Sequence, residues 1–156
     1  MHYFPQTKGR PEYDGIWVGV RPTTGQSWIG VFGFGFPALS RVISTPDENR
    51  VCVISTGAAY IVKADDPEDW ENLDVTPVRD VRVIPERQLI VFADFTGLTA
   101  YGRHQIVWRS AHLCGDYLRI QKIDGDKIEC VGYEPSEDCD CPFAVDVRTG
   151  IPINRA

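Results

Sequence analysis

The chain has 156 residues, 43% of them hydrophobic and 24% charged, with 14 Gly, 11 Pro and a formal net charge of −6. The apolar content excludes intrinsic disorder, and no apolar run approaches the roughly 20 residues a bilayer-crossing helix needs. The pI near 5.0 speaks against wholesale nucleic-acid binding, and the first ten residues hold no apolar stretch of signal-peptide length. The expectation is one all-β domain over 1–156, with 1–12 a loose N-terminal segment and neither membrane nor nucleic acid as partner.

In chain order, the apolar segments are short, rich in Val, Ile, Phe, Tyr, Trp and Thr, and broken by Gly, Pro, Asn or Asp. They predict strands near 15–20, 26–34, 40–44, 51–55 and 58–63. One short helix is expected near 67–73, because Asp66-Pro67-Glu68-Asp69-Trp70 offers an N-cap acid, Pro at the first helical position and acids in the first turn. Further strands are expected near 80–84, 88–93, 98–101, 105–110, 117–123, 127–133 and 143–148. The clearest hairpin runs through Asp124-Gly125, with Leu118, Ile120, Ile128 and Cys130 alternating against polar neighbours. These elements imply an antiparallel sandwich or partly closed barrel of about ten to twelve short strands, with a reduced propeller-like array as the alternative.

Weak self-similarity supports that alternative. Val51 to Tyr60 resembles Leu89 to Tyr101, Gly57 and Gly97 are 40 apart, and Trp70 and Trp108 are 38 apart. A period near 40 built of short strands is the dimension of a propeller blade. Ala144 to Gly150 (Ala-Val-Asp-Val-Arg-Thr-Gly) and Val107-Trp108-Arg109 resemble pieces of quinoprotein-type β-propeller blades. A full propeller needs about 4–8 blades of some 40 residues, so that family's cofactor is not implied for a chain of this length. Phe143 to Gly150 is also similar to a Phe-x-Val-Asp-x-x-Thr-Gly ending of short bacterial β-rich proteins. Neither resemblance brings an activity with it.

The negative charge is concentrated. Residues 64–74 and 132–142 hold ten of the 22 acids and no Lys or Arg, which leaves a mildly basic body. Such stretches are ordinarily solvated loops; a divalent-cation site or a docking surface for a basic partner is the functional reading.

Five cysteines, an odd number, argue for free thiols in a reducing cytoplasm rather than a disulfide framework. Cys52 sits in an apolar run and reads as a core thiol. His112, Cys114, Cys130, Cys139 and Cys141 form a candidate zinc set within thirty residues, although His-x-Cys and Cys-x-Cys are tighter than usual zinc spacing. A Cys114 nucleophile with His104 or His112 as base is the corresponding enzyme reading.

Finally, Phe32, Phe34 and Phe36 alternate with Val31, Gly33 and Gly35 in what reads as an extended strand. With Trp28 nearby, the rings form either core or an exposed aromatic groove, and the glycines would let another backbone or a ligand approach. The leading expectation is a non-catalytic binding or interaction module of a bacterial cytoplasm, using Trp28, Phe32, Phe34 and Phe36, with no cofactor. The alternative is a small zinc protein or enzyme centred on the Cys/His cluster.

Overall fold

A computed structural model describes residues 1–5 and 14–153. Among these residues there is no α-helix; the one helical segment is a 3-10 turn at Pro85–Arg87. The chain divides into two compact units, 1–78 and 79–156, where the sequence reading has a single domain.

In the first unit, β1 (His2–Phe4), β2 (Gly15–Val20) and β3 (Trp28–Gly33) form a three-stranded sheet in the order β1-β3-β2. β2 and β3 are antiparallel, whereas β1 pairs with β3 in parallel. The expectation of a loose segment over 1–12 therefore fails for its first residues, because Phe4 is 1% exposed and stacks on Phe32 at 4.7 Å between centroids. The rest of that expectation, 6–12, lies outside the described residues.

The second sheet of this unit is an antiparallel meander of β4 (Arg41–Ser44), β5 (Arg50–Ser55), β6 (Ala58–Lys63) and β7 (Trp70–Leu73). β7 replaces the expected helix over 67–73. The capping residues act as anticipated but close only a turn: Asp66 Oδ1 accepts the Glu68 N–H at 3.2 Å, and the Asp66 carbonyl accepts Asp69 N–H at 3.0 Å. Trp70 to Leu73 then pairs with β6, from Val62↔Trp70 to Ala59↔Leu73. Four residues after one turn are too few to nucleate a helix against an available strand edge. Phe4, Phe32, Val53, Ala58, Tyr60 and Val62 form one core drawn from both sheets, with Trp28 and Trp70 packed on it.

The second unit contains two more four-stranded meanders. One comprises β8 (Asp80–Ile84), β9 (Leu89–Ala93), β10 (Leu98–Tyr101) and β11 (Ile106–Arg109). The other comprises β12 (Asp116–Asp124), β13 (Lys127–Glu134), β14 (Cys139–Asp146) and β15 (Pro152–Ile153). Their facing residues, among them Val91, Ala100, Trp108, Ile120, Ile128 and Val145, make a single core. No sheet closes on itself, so the described residues form no closed barrel. Among the described residues fifteen strands replace the expected ten to twelve, β1, β7 and β15 being the additions.

The sequence period has a structural meaning. Val51, Leu89 and Ile128 lie in the second strand of their respective meanders, and Trp70 and Trp108 in the fourth. The 117–133 hairpin forms with Leu118, Ile120, Ile128 and Cys130 all buried. Its turn is offset by one residue: Asp124 pairs with Lys127, and Gly125 alone carries positive φ, at 58°. That is the pattern of a II′ turn with Gly first, not of an Asp-Gly turn.

Candidate functional site

The expected aromatic row is broken by the end of β3. Phe32 lies on the strand and is fully buried, accepting Ser55 Oγ at its carbonyl. Beyond Gly33 the backbone leaves the sheet, so Phe34 and Phe36 are 53% and 63% exposed and do not share a face with Phe32. Trp28 is half-buried and anchored, its indole N–H donating to the Ala64 carbonyl at 2.7 Å. The glycine expectation holds in one respect: a Cβ on Gly35 would lie 2.6 Å from the Ala58 nitrogen, so the close approach is by the chain's own β6. Trp28, Phe32, Phe34 and Phe36 thus form no common binding face.

The residues that do converge lie in the second unit, where Arg79, Tyr117, Arg119, Tyr133 and Asp140 line a pocket of about 360 Å³. Two features of β12 build it. Between Asp116↔Tyr133 and Arg119↔Val131 the strand carries one extra residue, a bulge. Tyr117 takes a left-handed backbone there, φ 53°, and is 55% exposed. A bulky residue with positive φ is strained by about 1 kcal/mol or more. The Asp116 carboxylate offsets part of that cost by accepting the Tyr117 N–H at 2.7 Å. A clamp from β8 then fixes the strand: Asp80 Oδ2 accepts the Ile120 N–H at 3.2 Å, Arg82 donates to the Ile120 carbonyl at 2.9 Å, and Asp80 and Arg82 pair with each other.

The bulge sets the Tyr117 ring 5.4 Å from the Arg79 guanidinium carbon, which also lies 4.8 Å from the Phe95 ring centroid. The guanidinium contacts two ring faces, and among the described residues it has no carboxylate or hydrogen-bond partner. Arg119 pairs with Asp140 at 3.4 Å, both side chains more than half exposed, an arrangement worth little in water and easily exchanged. On the far wall the Tyr133 hydroxyl donates to Asp138 Oδ1 at 2.6 Å. That bond holds the phenol protonated, with its pKa above the ordinary value. Chemically the pocket offers two guanidinium forks, two phenol rings and one carboxylate.

On strand β14, Asp140 is flanked by Cys139 and Cys141. Alternation sends the two thiols to the opposite face from Asp140, where their Sγ atoms are 3.2 Å apart. Glu137, absent from the expected zinc set although it lies in the 132–142 acidic stretch read as a cation site or docking surface, joins them: one ligand atom from each of Glu137, Cys139 and Cys141 lies within 4.8 Å of the others. Its spacing from Cys139 was visible, but the turn that returns its carboxylate was not. The Cys139 thiol is pushed up to about 11 by its hydrogen bond with Cys141, then by burial and the neighbouring Cys141 and Glu137.

The rest of the expected zinc set does not join this group. Cys114 and Cys130 are buried at 3% and 1% exposure, and His112 is exposed. The Cys114 Sγ lies 3.7 Å from the Phe95 carbonyl and 3.5 Å from that of Asp116. Comparison with known proteins finds no matching family model, no matching curated protein and no matching solved structure. The functional argument therefore rests on the site alone.

Proposed function

We propose that this chain is a non-catalytic binding module whose Arg79–Tyr117 pocket takes a small organic anion, a carboxylate or phosphate carried on a flat apolar body. The observation that carries this reading is the Arg79 guanidinium, set against the rings of Phe95 and Tyr117 with no carboxylate partner among the described residues. Stacking on rings fixes the plane of a guanidinium and leaves its in-plane N–H donors aimed outward, the geometry that binds carboxylate or phosphate through two parallel bonds. Arg119 supplies a second cation once it exchanges Asp140 for the ligand, and Tyr117 and Tyr133 supply apolar walls. A pocket of about 360 Å³ is of small-molecule size.

The site thus moves from the aromatic strand to the bulged hairpin, while the class of function stays a binding module. The three four-stranded meanders support a local likeness to propeller blades, from which we carry over no cofactor. Five free cysteines support a reducing, cytoplasmic setting.

Titration with phenyl phosphate, benzoate and inorganic phosphate, followed by amide chemical shifts, tests the proposal. Phenyl phosphate and benzoate should move the Arg79, Tyr117 and Tyr133 signals at millimolar concentration, inorganic phosphate less. Arg79→Ala should abolish the shifts, and Arg79→Lys, which keeps charge but loses the planar fork, should weaken them about tenfold. Wild-type affinity retained in Arg79→Ala would sink the idea, as would silence toward all three probes.

A further inference from the structure

The thiol pair on the other face of β14 is not used by the anion pocket and stands on independent observations. It is placed by the turn between β13 and β14. Glu134↔Cys139 is the last pair of that ladder, so residues 135–138 form the loop, and Asp138 carries the left-handed backbone, φ 50°, that returns the chain to the sheet. That return carries the Glu137 carboxylate back over the strand start, 3.8 Å from the Cys139 Sγ. Because Cys139 and Cys141 are two apart on an extended strand, they project from one face beside it.

We infer that Glu137, Cys139 and Cys141 form a three-ligand site for Zn(II) or a similar borderline divalent cation, with its fourth position open to solvent. Two thiolates bound at about 2.3 Å in a tetrahedron lie about 3.8 Å apart. From the present 3.2 Å the two sulfurs need to separate by only about half an ångström. The third ligand, a carboxylate oxygen, is already within 4.8 Å of both. Two thiols and a carboxylate are a donor set that selects zinc or a softer metal over magnesium or calcium. The neighbouring acids are committed elsewhere: Asp138 accepts the Tyr133 hydroxyl, and Asp140 pairs with Arg119 across the strand. With half-buried sulfurs and an exposed carboxylate, the site has the open form that exchanges water or a ligand atom, not the closed form of a structural zinc. On binding, each coordinating thiol releases its proton to solvent as its sulfur takes the metal.

Cobalt(II), a coloured stand-in for zinc, provides the test on the full chain under reducing conditions. One equivalent should bind with a near-ultraviolet thiolate-to-cobalt band and the visible absorption of tetrahedral cobalt, and added zinc should erase both. The Cys139→Ser/Cys141→Ser double variant should show neither band while its far-ultraviolet circular dichroism stays that of the wild type. Should that variant misfold, Cys141→Ser alone is read instead, and the charge-transfer band should fall by roughly half or more. Losing even an outer-sphere partner weakens a metal site about 10- to 100-fold, so Glu137→Gln, which removes a direct ligand, should cost at least tenfold. A thiolate band that survives in the double variant would transfer the site to the buried cysteines and overturn the inference. Absence of the band in the reduced wild type would overturn it too, including the case in which air oxidation joins Cys139 to Cys141 and the re-reduced protein still takes no metal.

Discussion

The N–H of Tyr117 donates to the carboxylate of its own neighbour, Asp116, at 2.7 Å, and this bond accompanies a left-handed tyrosine at φ 53°. The pocket depends on that conformation, since an extended Tyr117 would not meet Arg79. Substitution with Gly removes the strain and the ring contact together, so the two effects oppose and stability should change by less than about 1 kcal/mol. Tyr117→Val puts a β-branched residue at the same positive φ and should cost about 1–3 kcal/mol. Urea midpoints measure both, and equal destabilisation by the two substitutions would contradict a strained Tyr117.

The fold class was legible because its signals are local. Alternation along 117–133 names the buried face of the hairpin, and the near-40-residue step marks the meanders. What was not legible is set by partners distant in sequence. Trp70 to Leu73 carries a good helix start, yet β6 offers a strand edge that no local pattern reveals. Phe34 and Phe36 continue the alternation of Phe32, but the strand ends at Gly33, and beyond it Gly35 donates its N–H to the Ser55 carbonyl, a partner no local pattern reveals. The pocket was missed for the same reason. Arg79, Phe95 and Tyr117 come from three separate segments, and the bulge that joins them depends on pairing with β13.

The division of the aromatic row predicts unequal energetics. Phe32→Ala should cost about 3–5 kcal/mol, since the ring is fully buried among Phe4 and Tyr60. Phe34→Ala and Phe36→Ala should stay within about 0.5 kcal/mol, as both rings are more than half exposed. Similar losses at all three positions, measured by urea unfolding, would restore the row as one packed face.

Gly150 has no room for a side chain. It stands at φ 70°, its N–H donates to the Asp146 carbonyl at 2.8 Å, and an added Cβ would lie 2.4 Å from the Trp108 ring. The same indole donates to the Val147 carbonyl at 2.9 Å, so moving the ring also breaks a buried bond. Gly150→Ala should therefore cost about 2–4 kcal/mol, read from the thermal midpoint. A loss below about 1 kcal/mol would mean that the turn, not the ring, yields.

Alkaline pH should weaken the fold through its buried thiols. Burial, helped by Cys114 and Asp80, pushes Cys130 from 9.0 up to about 12, and burial raises Cys52 as well. Below pH 9 both states keep these protons; between about 9 and 12 only the folded state does. The unfolded state then binds fewer protons, so stability falls with rising pH by up to about 1.4 kcal/mol per unit and thiol. Urea midpoints at about pH 8 and about pH 10 should show the decline, and a Cys52→Ala/Cys130→Ala variant should flatten it. An unchanged slope in that variant would assign the loss to other groups.

Among the described residues, every ladder but one joins strands that follow each other in the chain; the exception is the parallel pairing of His2–Phe4 with Gly30–Phe32. Contacts of such short sequence separation close small loops at low entropic cost, which is the condition for rapid folding. Each meander can pair its strands as its own segment leaves the ribosome, without waiting for distant sequence. The N-terminal strand is the opposite case. It is synthesised before the third strand and cannot make this pairing until that strand exists, so the stacking of Phe4 on Phe32 is a contact the growing chain has to postpone.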